Sequence, residues 1–294
     1  MLSGRRRAYE AASFKVPFKG LCGICLFGGL FDGYHFITQV AMRRIRLTIA
    51  YDGTEYCGWQ RQEGVATIEG TVAAAITRLT GEQVELIGAS RTDTGVHALG
   101  NVAAFDTLST IPGERFMPAL NSFLPEDIRV VDSAEVSTDF HPRFAAHGKQ
   151  YEYRIVTGRV CSPLVTRYAA FMREELDTEA MRRMARYAVG THDFSSFCAA
   201  GAQVQSKVRT IFRIEVEETT TDDECREIRI SVEGDGFLYN MVRILVGTLL
   251  QAGLHRSTPE AMKDILEAKD RTQAGPTAPA KGLRLCKIWY LNEP

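Results

Sequence analysis

The sequence predicts an α+β protein in which strands and helices alternate. Two observations carry this prediction. Strand-like and helix-like runs follow one another from Arg43 to Glu135, and the second half of the chain repeats the plan. In addition, 45% of the 294 residues are hydrophobic, which is enough to fill the cores of one large or two medium domains.

The first strand is predicted directly after Met42, where Ile45, Leu47 and Ile49 alternate with polar residues. Residues 1–41 read differently, because basic residues precede an apolar run that is too short to cross a membrane. We therefore expect the folded protein to begin near Met42. Residues 1–41 are expected to lie outside the fold, as a loosely ordered extension or a mispredicted start.

A helix is predicted to begin at Thr67 and to end at Gly81, because Ile68, Val72 and Ile76 recur at helical spacing and glycine favours the position after a helix. The other elements follow from periodicity in the same way. They are strands at residues 84–89, 101–106, 128–135, 149–155, 208–217, 226–234 and 283–291, and helices at residues 113–124, 177–189, 237–250 and 259–268.

The charge and the cysteine content limit the classes of function that the sequence supports. The net charge of −1 means that any contact with nucleic acid has to come from clustered charge. Seven cysteines without a repeating spacing are typical of reduced thiols in a cytosolic protein. Only Cys22 and Cys25 have the spacing of a redox or metal pair, and no second pair accompanies them. The composition therefore gives no support for a disulfide framework or a metal site.

The stretch from Gly88 to Ala98 has the composition of a site. It places Arg91, Asp93 and His97 in one connection between two apolar runs, and Gly95 can adopt the positive φ that turns the chain sharply after Asp93. This turn would present the carboxylate at a strand end. Local chemistry also allows an ordinary turn in which the carboxylate caps its own backbone, so both interpretations stay open.

The helix predicted at residues 237–250 carries Arg243 as its only charge. A buried guanidinium needs a partner, and a bidentate carboxylate is the natural one. If Asp93 is that partner, the site is a cleft between the two halves of the chain. The alternative is that Arg243 extends to solvent at the helix rim.

Two aromatic positions are also ambiguous. Trp59 lies in a loop rich in aromatic residues and glycine, where it either stacks on a base or caps the folded loop. Tyr151 and Tyr153 share one face of a predicted strand. One of them can lie beneath a flat substrate, or both are core aromatics.

Five motifs in order show that residues 43–291 resemble the TruA family of tRNA pseudouridine synthases. Residues 1–41 lie outside this resemblance. The motifs are YDGTEYCGWQ from Tyr51, GASRTDTGVHA from Gly88, KQYEYR from Lys149, HDFSSF from His192 and FLYNMVR from Phe237.

The resemblance implies an isomerase that converts uridine to pseudouridine at positions 38, 39 and 40 of the tRNA anticodon stem-loop. It implies a cytoplasmic homodimer that binds tRNA and uses no cofactor, metal or membrane. It also implies two α/β domains, residues 42–146 and 147–294, whose mainly antiparallel sheets join into one extended sheet with the catalytic cleft between them.

Site residues follow from the resemblance by matching position. Asp93 is expected to be the nucleophile, Arg243 its ion-pair partner, Arg91 the residue that assists base flipping, and Tyr151 the ring against the target base. Arg243 is expected to keep Asp93 ionised by lowering its pKa. Three alternatives remain: a non-catalytic RNA-binding or chaperone protein of the same fold, a synthase with another RNA target, and a metal-dependent hydrolase using Asp93 and His97.

Phosphate binding is local, so basic residues are expected to gather on one face despite the near-zero net charge. The acidic excess is expected elsewhere on the surface. The candidates for this basic face are Arg44, Arg61, Arg143, Lys149, Arg154, Lys207 and Arg209.

Overall fold

Ten strands form one sheet in the part of the chain that the structure, a computed structural model, describes: residues 41–201, 204–220 and 225–291. The predictions for residues 1–40, with Cys22 and Cys25, lie outside the described residues. The strands are β1 (Arg43–Tyr51), β2 (Ile87–Gly88), β3 (His97–Thr107), β4 (Ile128–Val136), β5 (Ala146–Thr157), β6 (Ala170–Met172), β7 (Gly190–Asp193), β8 (Val208–Thr220), β9 (Arg226–Gly234) and β10 (Leu283–Tyr290).

The strand order is β4-β1-β3-β10-β5-β9-β8-β7, with β2 added to β3 and β6 added to β5. All pairs are antiparallel except β3 with β10 and β5 with β6. The last strand in sequence, β10, therefore lies between the strands of the first half and those of the second. This confirms the prediction of an α+β fold with one extended, mainly antiparallel sheet.

Helices supply the second layer of the fold. In α4 and α5, buried methionine, isoleucine and leucine side chains extend the core of the sheet. The six helices of the described ranges are α1 (Ile68–Thr80), α2 (Phe116–Asn121), α3 (Pro163–Thr166), α4 (Thr178–Arg186), α5 (Met241–Gly253) and α6 (Ala261–Ala268).

The alternation seen in the sequence of β1 sets its orientation. Ile45, Leu47 and Ile49 are completely buried, and the residues between them are half-exposed. The limits predicted for α1 are confirmed. Thr67 caps its start by accepting a hydrogen bond from the Gly70 N–H, and Gly81 ends it in the left-handed conformation with a φ of 78°.

Several predicted elements have other limits than expected, and two of them lie next to the site. Of the strand predicted at residues 84–89, only Ile87 and Gly88 pair with β3. The helix predicted at residues 237–250 begins at Met241, because Asn240 has a φ of 60°, outside the helical range. This late start matters for the site, since it brings Asn240 beside the first turn of α5.

Candidate active site

A cleft of about 670 Å³ is lined by the loop before β3, by β5 and by the start of α5. Asp93, Arg91, Tyr151 and Arg243 all line it. Asp93 and Arg243 lie 150 positions apart, so no local sequence pattern could have established their proximity. We call residues 89–96, which precede β3, the Asp93 loop.

Asp93 and Arg243 form an ion pair at the floor of the cleft. The Arg243 Nη1 atom donates to Asp93 Oδ2 at 3.1 Å, and the two side chains are 16% and 21% exposed. The pair has one such contact rather than the bidentate geometry expected. Other donors of the guanidinium are held by the Ala278 carbonyl and by Asn240 Oδ1, both at 2.8 Å. Arg243 therefore remains in the cleft and does not extend to the helix rim.

The electrostatic balance at Asp93 differs from the expectation. Burial raises the pKa of the Asp93 carboxyl above its ordinary value, and the hydrogen bond and charge of Arg243 lower it by a smaller amount. Arg243 lowers the pKa of Asp93 as expected, but the net shift of this pKa is upward. A carboxylate with a raised pKa is a stronger base than a free one.

Backbone contacts hold the Asp93 loop in place. The turn is closed by the Val96 N–H, which donates to the Asp93 carbonyl at 3.1 Å, and the Trp59 N–H donates to the Thr92 carbonyl at 3.0 Å. Gly58, with a φ of 82°, lies so close that an added Cβ would be 2.6 Å from the Thr92 carbonyl oxygen. The turn is thus made by backbone, and the Asp93 carboxylate is left to Arg243.

Replacing Gly58 by alanine is expected to destabilise the protein more than the same change at Gly64. Both glycines have a positive φ, 82° and 78°, but nothing lies within 4 Å of an added Cβ at Gly64. The shared backbone strain costs about 1 kcal/mol. The clash with the Asp93 loop adds about 1–3 kcal/mol in Gly58→Ala alone. Thermal melting of the two variants measures this difference, and equal melting temperatures would contradict the close packing described here.

Trp59 supports this loop from behind. It is 1% exposed, its ring centroid is 6.1 Å from that of Tyr51, and an added Cβ at Gly88 would be 2.3 Å from its Nε1 atom. The interpretation of Trp59 as the cap of a folded loop is therefore confirmed, and the alternative of a base-stacking ring is wrong.

Tyr151 is the tyrosine that faces the cleft. Its hydroxyl is 2.8 Å from Ser90 Oγ, and its ring meets Phe237 edge-on with centroids 5.2 Å apart. Burial raises the pKa of Tyr151 to about 12, so the phenol is protonated at neutral pH. Tyr153 instead donates to the Pro279 carbonyl and is fully buried. Tyr151 can hence offer a ring and a hydroxyl to a substrate, whereas Tyr153 belongs to the core.

Besides Arg243, four cations line the cleft, namely Arg91, Arg143, Lys149 and Arg209. Arg91 is exposed, and Lys149 donates to the Ala89 carbonyl at 2.8 Å. Arg209 donates to backbone carbonyls of its own segment. Burial, followed by the charges of Arg143 and Arg209, lowers the pKa of Lys149 to about 8. The cleft is therefore strongly positive although the chain as a whole is not.

The other basic residues proposed for this face lie elsewhere. Arg44 is paired with Asp106, and Arg154 with Glu227. Arg61 and Lys207 do not line the cleft. Three of the seven candidates, Arg143, Lys149 and Arg209, therefore lie in the cleft as expected. The pairing of Arg44 and Arg154 with acidic neighbours could not be read from the sequence.

His97 lies in a different cleft, of about 570 Å³, with Asp52 and Tyr168. Its Nδ1 atom is 3.1 Å from Asp52 Oδ1. The same atom accepts a hydrogen bond from the Gly53 N–H, so His97 lies with Gly53 and Asp52 and not with Asp93, which removes the pairing on which a hydrolase would rest. Within residues 41–201, 204–220 and 225–291, no group of three or more His, Cys, Asp or Glu side chains is arranged to hold a metal ion.

Sequence reasoning missed Asn240 and Ser90, the hydrogen-bond partners of Arg243 and Tyr151. A signal for Asn240 was present, because residues three apart at a helix start lie on the same side. For Ser90 there was none, since it meets β5 only through the folded sheet. In the described ranges no helix combines the length and apolar character needed to cross a membrane.

The fold and the site define a class of protein: an α+β protein with a partly buried aspartate–arginine pair in a basic cleft. The family model described as "tRNA pseudouridine synthase" matches residues 47–145 and 184–290. The protein belongs to the tRNA pseudouridine synthase family.

Curated relatives agree over most of the chain. The tRNA pseudouridine synthase A of Acetivibrio thermocellus is 47% identical over 249 residues, covering 85% of this chain and 100% of the relative. The tRNA pseudouridine synthase A 2 of Clostridium tetani is 47% identical over 250 residues, covering 84% and 99%. The tRNA pseudouridine synthase A of Clostridium kluyveri is 48% identical over 249 residues, covering 85% and 100%.

Proposed function

We propose that this protein isomerises uridine to pseudouridine in tRNA, at positions 38, 39 and 40 of the anticodon stem-loop. The observation that carries the proposal is the Asp93–Arg243 pair, which lies with Tyr151 in a cleft lined by four further cations. Residues 42–146 supply the carboxylate, and residues 147–294 supply the tyrosine and the arginine. Both halves of the chain, which we propose as two α/β domains, therefore contribute to the cleft.

The reaction requires no redox partner. The C1′–N1 glycosidic bond breaks, the uracil rotates, and a C1′–C5 bond forms. The proton on C5 passes to solvent, and N1 takes up a proton, so that atoms and electrons balance. Asp93 is the nucleophile in this scheme: its carboxylate bonds to C1′ as the C1′–N1 bond breaks and is released from C1′ as the C1′–C5 bond forms. The raised pKa of its carboxyl is consistent with a basic, partly desolvated group.

The uridine must leave its stack to reach Asp93, at a cost of a few kcal/mol. Tyr151 offers an aromatic ring and a protonated hydroxyl to the extruded base, and these contacts offset part of that cost. Arg91, which is exposed at the mouth of the cleft, assists by holding the base out of its stack.

Removing one cleft cation is expected to weaken tRNA binding and to make the binding constant less sensitive to salt. Each of Arg143→Gln and Arg209→Gln should reduce the slope of log K against log salt by about 1, because one phosphate contact is lost. Filter binding between low and moderate salt measures the slope. Arg213→Gln is the matched control, since Arg213 is already paired with Glu233 and Glu215. An unchanged slope in both cleft variants would argue against phosphate binding here.

The proposed target positions are tested with unmodified tRNA transcripts that carry uridine at only one of positions 38, 39 and 40. Pseudouridine is expected at each of the three, and a transcript with cytidine at all three should stay unmodified. A chelator should not alter the result, whereas a metal-dependent hydrolase would lose activity. Pseudouridine elsewhere in the tRNA would indicate a synthase with another target. Tight binding without any product would favour the non-catalytic RNA-binding protein.

The proposal extends to a cytoplasmic homodimer. The cysteines at positions 57, 198 and 286 are free thiols, which supports a reducing compartment. Sedimentation of the purified protein at micromolar concentration tests the dimer, and a monomer at that concentration would contradict it.

A further inference from the structure

Four buried polar residues connect the Asp93 loop to Tyr151. They are Tyr51 at the end of β1, Ser90 and Thr92 in the loop itself, and Asn101 in β3. None is more than 7% exposed, and Asn101 is completely buried. We call these four residues the buried relay.

The contacts of the relay form a continuous chain. Tyr51 OH is 2.8 Å from Thr92 Oγ1, and Asn101 Nδ2 is 3.4 Å from Tyr51 OH. The same Nδ2 atom is 3.0 Å from the Ser90 carbonyl oxygen, and Ser90 Oγ is 2.8 Å from Tyr151 OH. The chain therefore runs from the residue next to Asp93 to the ring that faces the substrate.

The chemistry of the groups fixes the direction of the two bonds that Asn101 makes. The Ser90 carbonyl can only accept, so the amide of Asn101 must present its NH₂ group there. The second hydrogen of that group is then directed to Tyr51 OH. Because Tyr51 accepts from Asn101, its own proton is available for Thr92 Oγ1. The Asn101 amide thus holds the Ser90 carbonyl directly and Thr92 through the Tyr51 hydroxyl, on both sides of Arg91.

This arrangement has a cost that packing does not explain. Asn101 Oδ1 is buried and has no hydrogen-bond partner among the described residues. An apolar residue at this place would avoid the unpaired acceptor, since a buried group of this kind is unfavourable. The amide is needed for its two donors, which reach the Asp93 loop and the hydroxyl that holds it.

We infer that Asn101 and Tyr51 are positioning residues for the isomerisation, which set the Asp93 carboxylate in register with the Tyr151 ring. They act through Ser90 and Thr92 and touch no reacting atom. The two groups that they align come from different strands and different halves of the chain. The inference rests on the proposed function, because it concerns the rate of that reaction.

The test is the variant Tyr51→Phe, which removes one hydroxyl and keeps the ring. We expect kcat for pseudouridine formation to fall about tenfold, equal to about 1.4 kcal/mol, while KM for tRNA stays within about twofold. Thr92→Val removes the other end of the same bond. The double variant should be no slower than the slower single variant, because both changes remove one interaction. Asn101→Leu should show the same split between kcat and KM.

A matched control separates positioning from general stability. Ser133→Ala also removes a buried hydroxyl with two partners, the Gly113 carbonyl and the Met117 N–H, outside the cleft. It should lower the melting temperature by a similar amount and leave kcat unchanged. The inference is overturned if Tyr51→Phe keeps the wild-type kcat, if the double variant loses the product of the single losses, or if Ser133→Ala loses as much activity. A wild-type protein that makes no pseudouridine would instead contradict the proposed function.

Discussion

Replacing Asp93 by asparagine is expected to abolish pseudouridine formation while tRNA binding stays within about twofold of the wild type. The amide keeps the size of the side chain but cannot act as a nucleophile. Loss of a nucleophile lowers kcat by a factor on the order of 10⁴ or more. Single-turnover product formation and filter binding, measured on the same preparations, separate the chemical step from binding.

Stability supplies an internal check on this variant. The pKa of Asp93 is raised in the folded protein, so protonation of this carboxyl favours folding. That contribution is present below the unfolded pKa and is lost as pH rises through the folded pKa. At neutral pH the ionised Asp93 carboxylate therefore lowers the free energy of unfolding. Asp93→Asn removes this charge and should melt at or above the wild-type temperature.

The control for Asp93→Asn is Asp106→Asn, which alters another aspartate–arginine pair outside the cleft. It should retain wild-type activity. Substantial activity in Asp93→Asn, or an equal loss in Asp106→Asn, would remove the special role of Asp93.

The second large effect is expected at Arg243. Arg243→Met removes the cation that lowers the pKa of Asp93, so burial acts unopposed and this pKa rises further. Because the reaction needs ionised Asp93, the acid limb of the pH–rate profile should move to higher pH. The carboxylate also loses its hydrogen bond from Nη1, and misplacement of a reacting group costs on the order of 10² in kcat.

A pH profile of single-turnover rates distinguishes these two effects. A shift in the acid limb reports the changed pKa, and a lower plateau at high pH reports the lost orientation. Arg44→Met, which removes the partner of Asp106, should change neither. An unshifted acid limb in Arg243→Met would show that Arg243 does not control the ionisation of Asp93.

Much of the site could be predicted from the sequence, for reasons visible in single residues. Asp93, Tyr151 and Arg243 each stand in a motif with distinctive neighbours, and the structure brings them into one cleft. Alternation along β1 and the capping residues of α1 depend only on local chemistry, which is why both were predicted correctly.

What could not be predicted depends on contacts between distant segments. The insertion of β10 between β3 and β5 is a non-local pairing with no local signal. The single contact between Arg243 and Asp93 arises because Ala278 and Asn240 take other guanidinium donors. The net rise in the pKa of Asp93 depends on the depth of the cleft, which only the folded chain defines.

The measurement that tests the proposed role of Asp93 most directly is the release of tritium from tRNA labelled at C5 of uridine. Forming the C1′–C5 bond expels this hydrogen, so release counts completed isomerisations without separating products. We expect tritium release by the wild-type protein without added metal, and none by Asp93→Asn although it binds the same tRNA. Release by Asp93→Asn at the wild-type rate would contradict the assignment of Asp93 as the nucleophile.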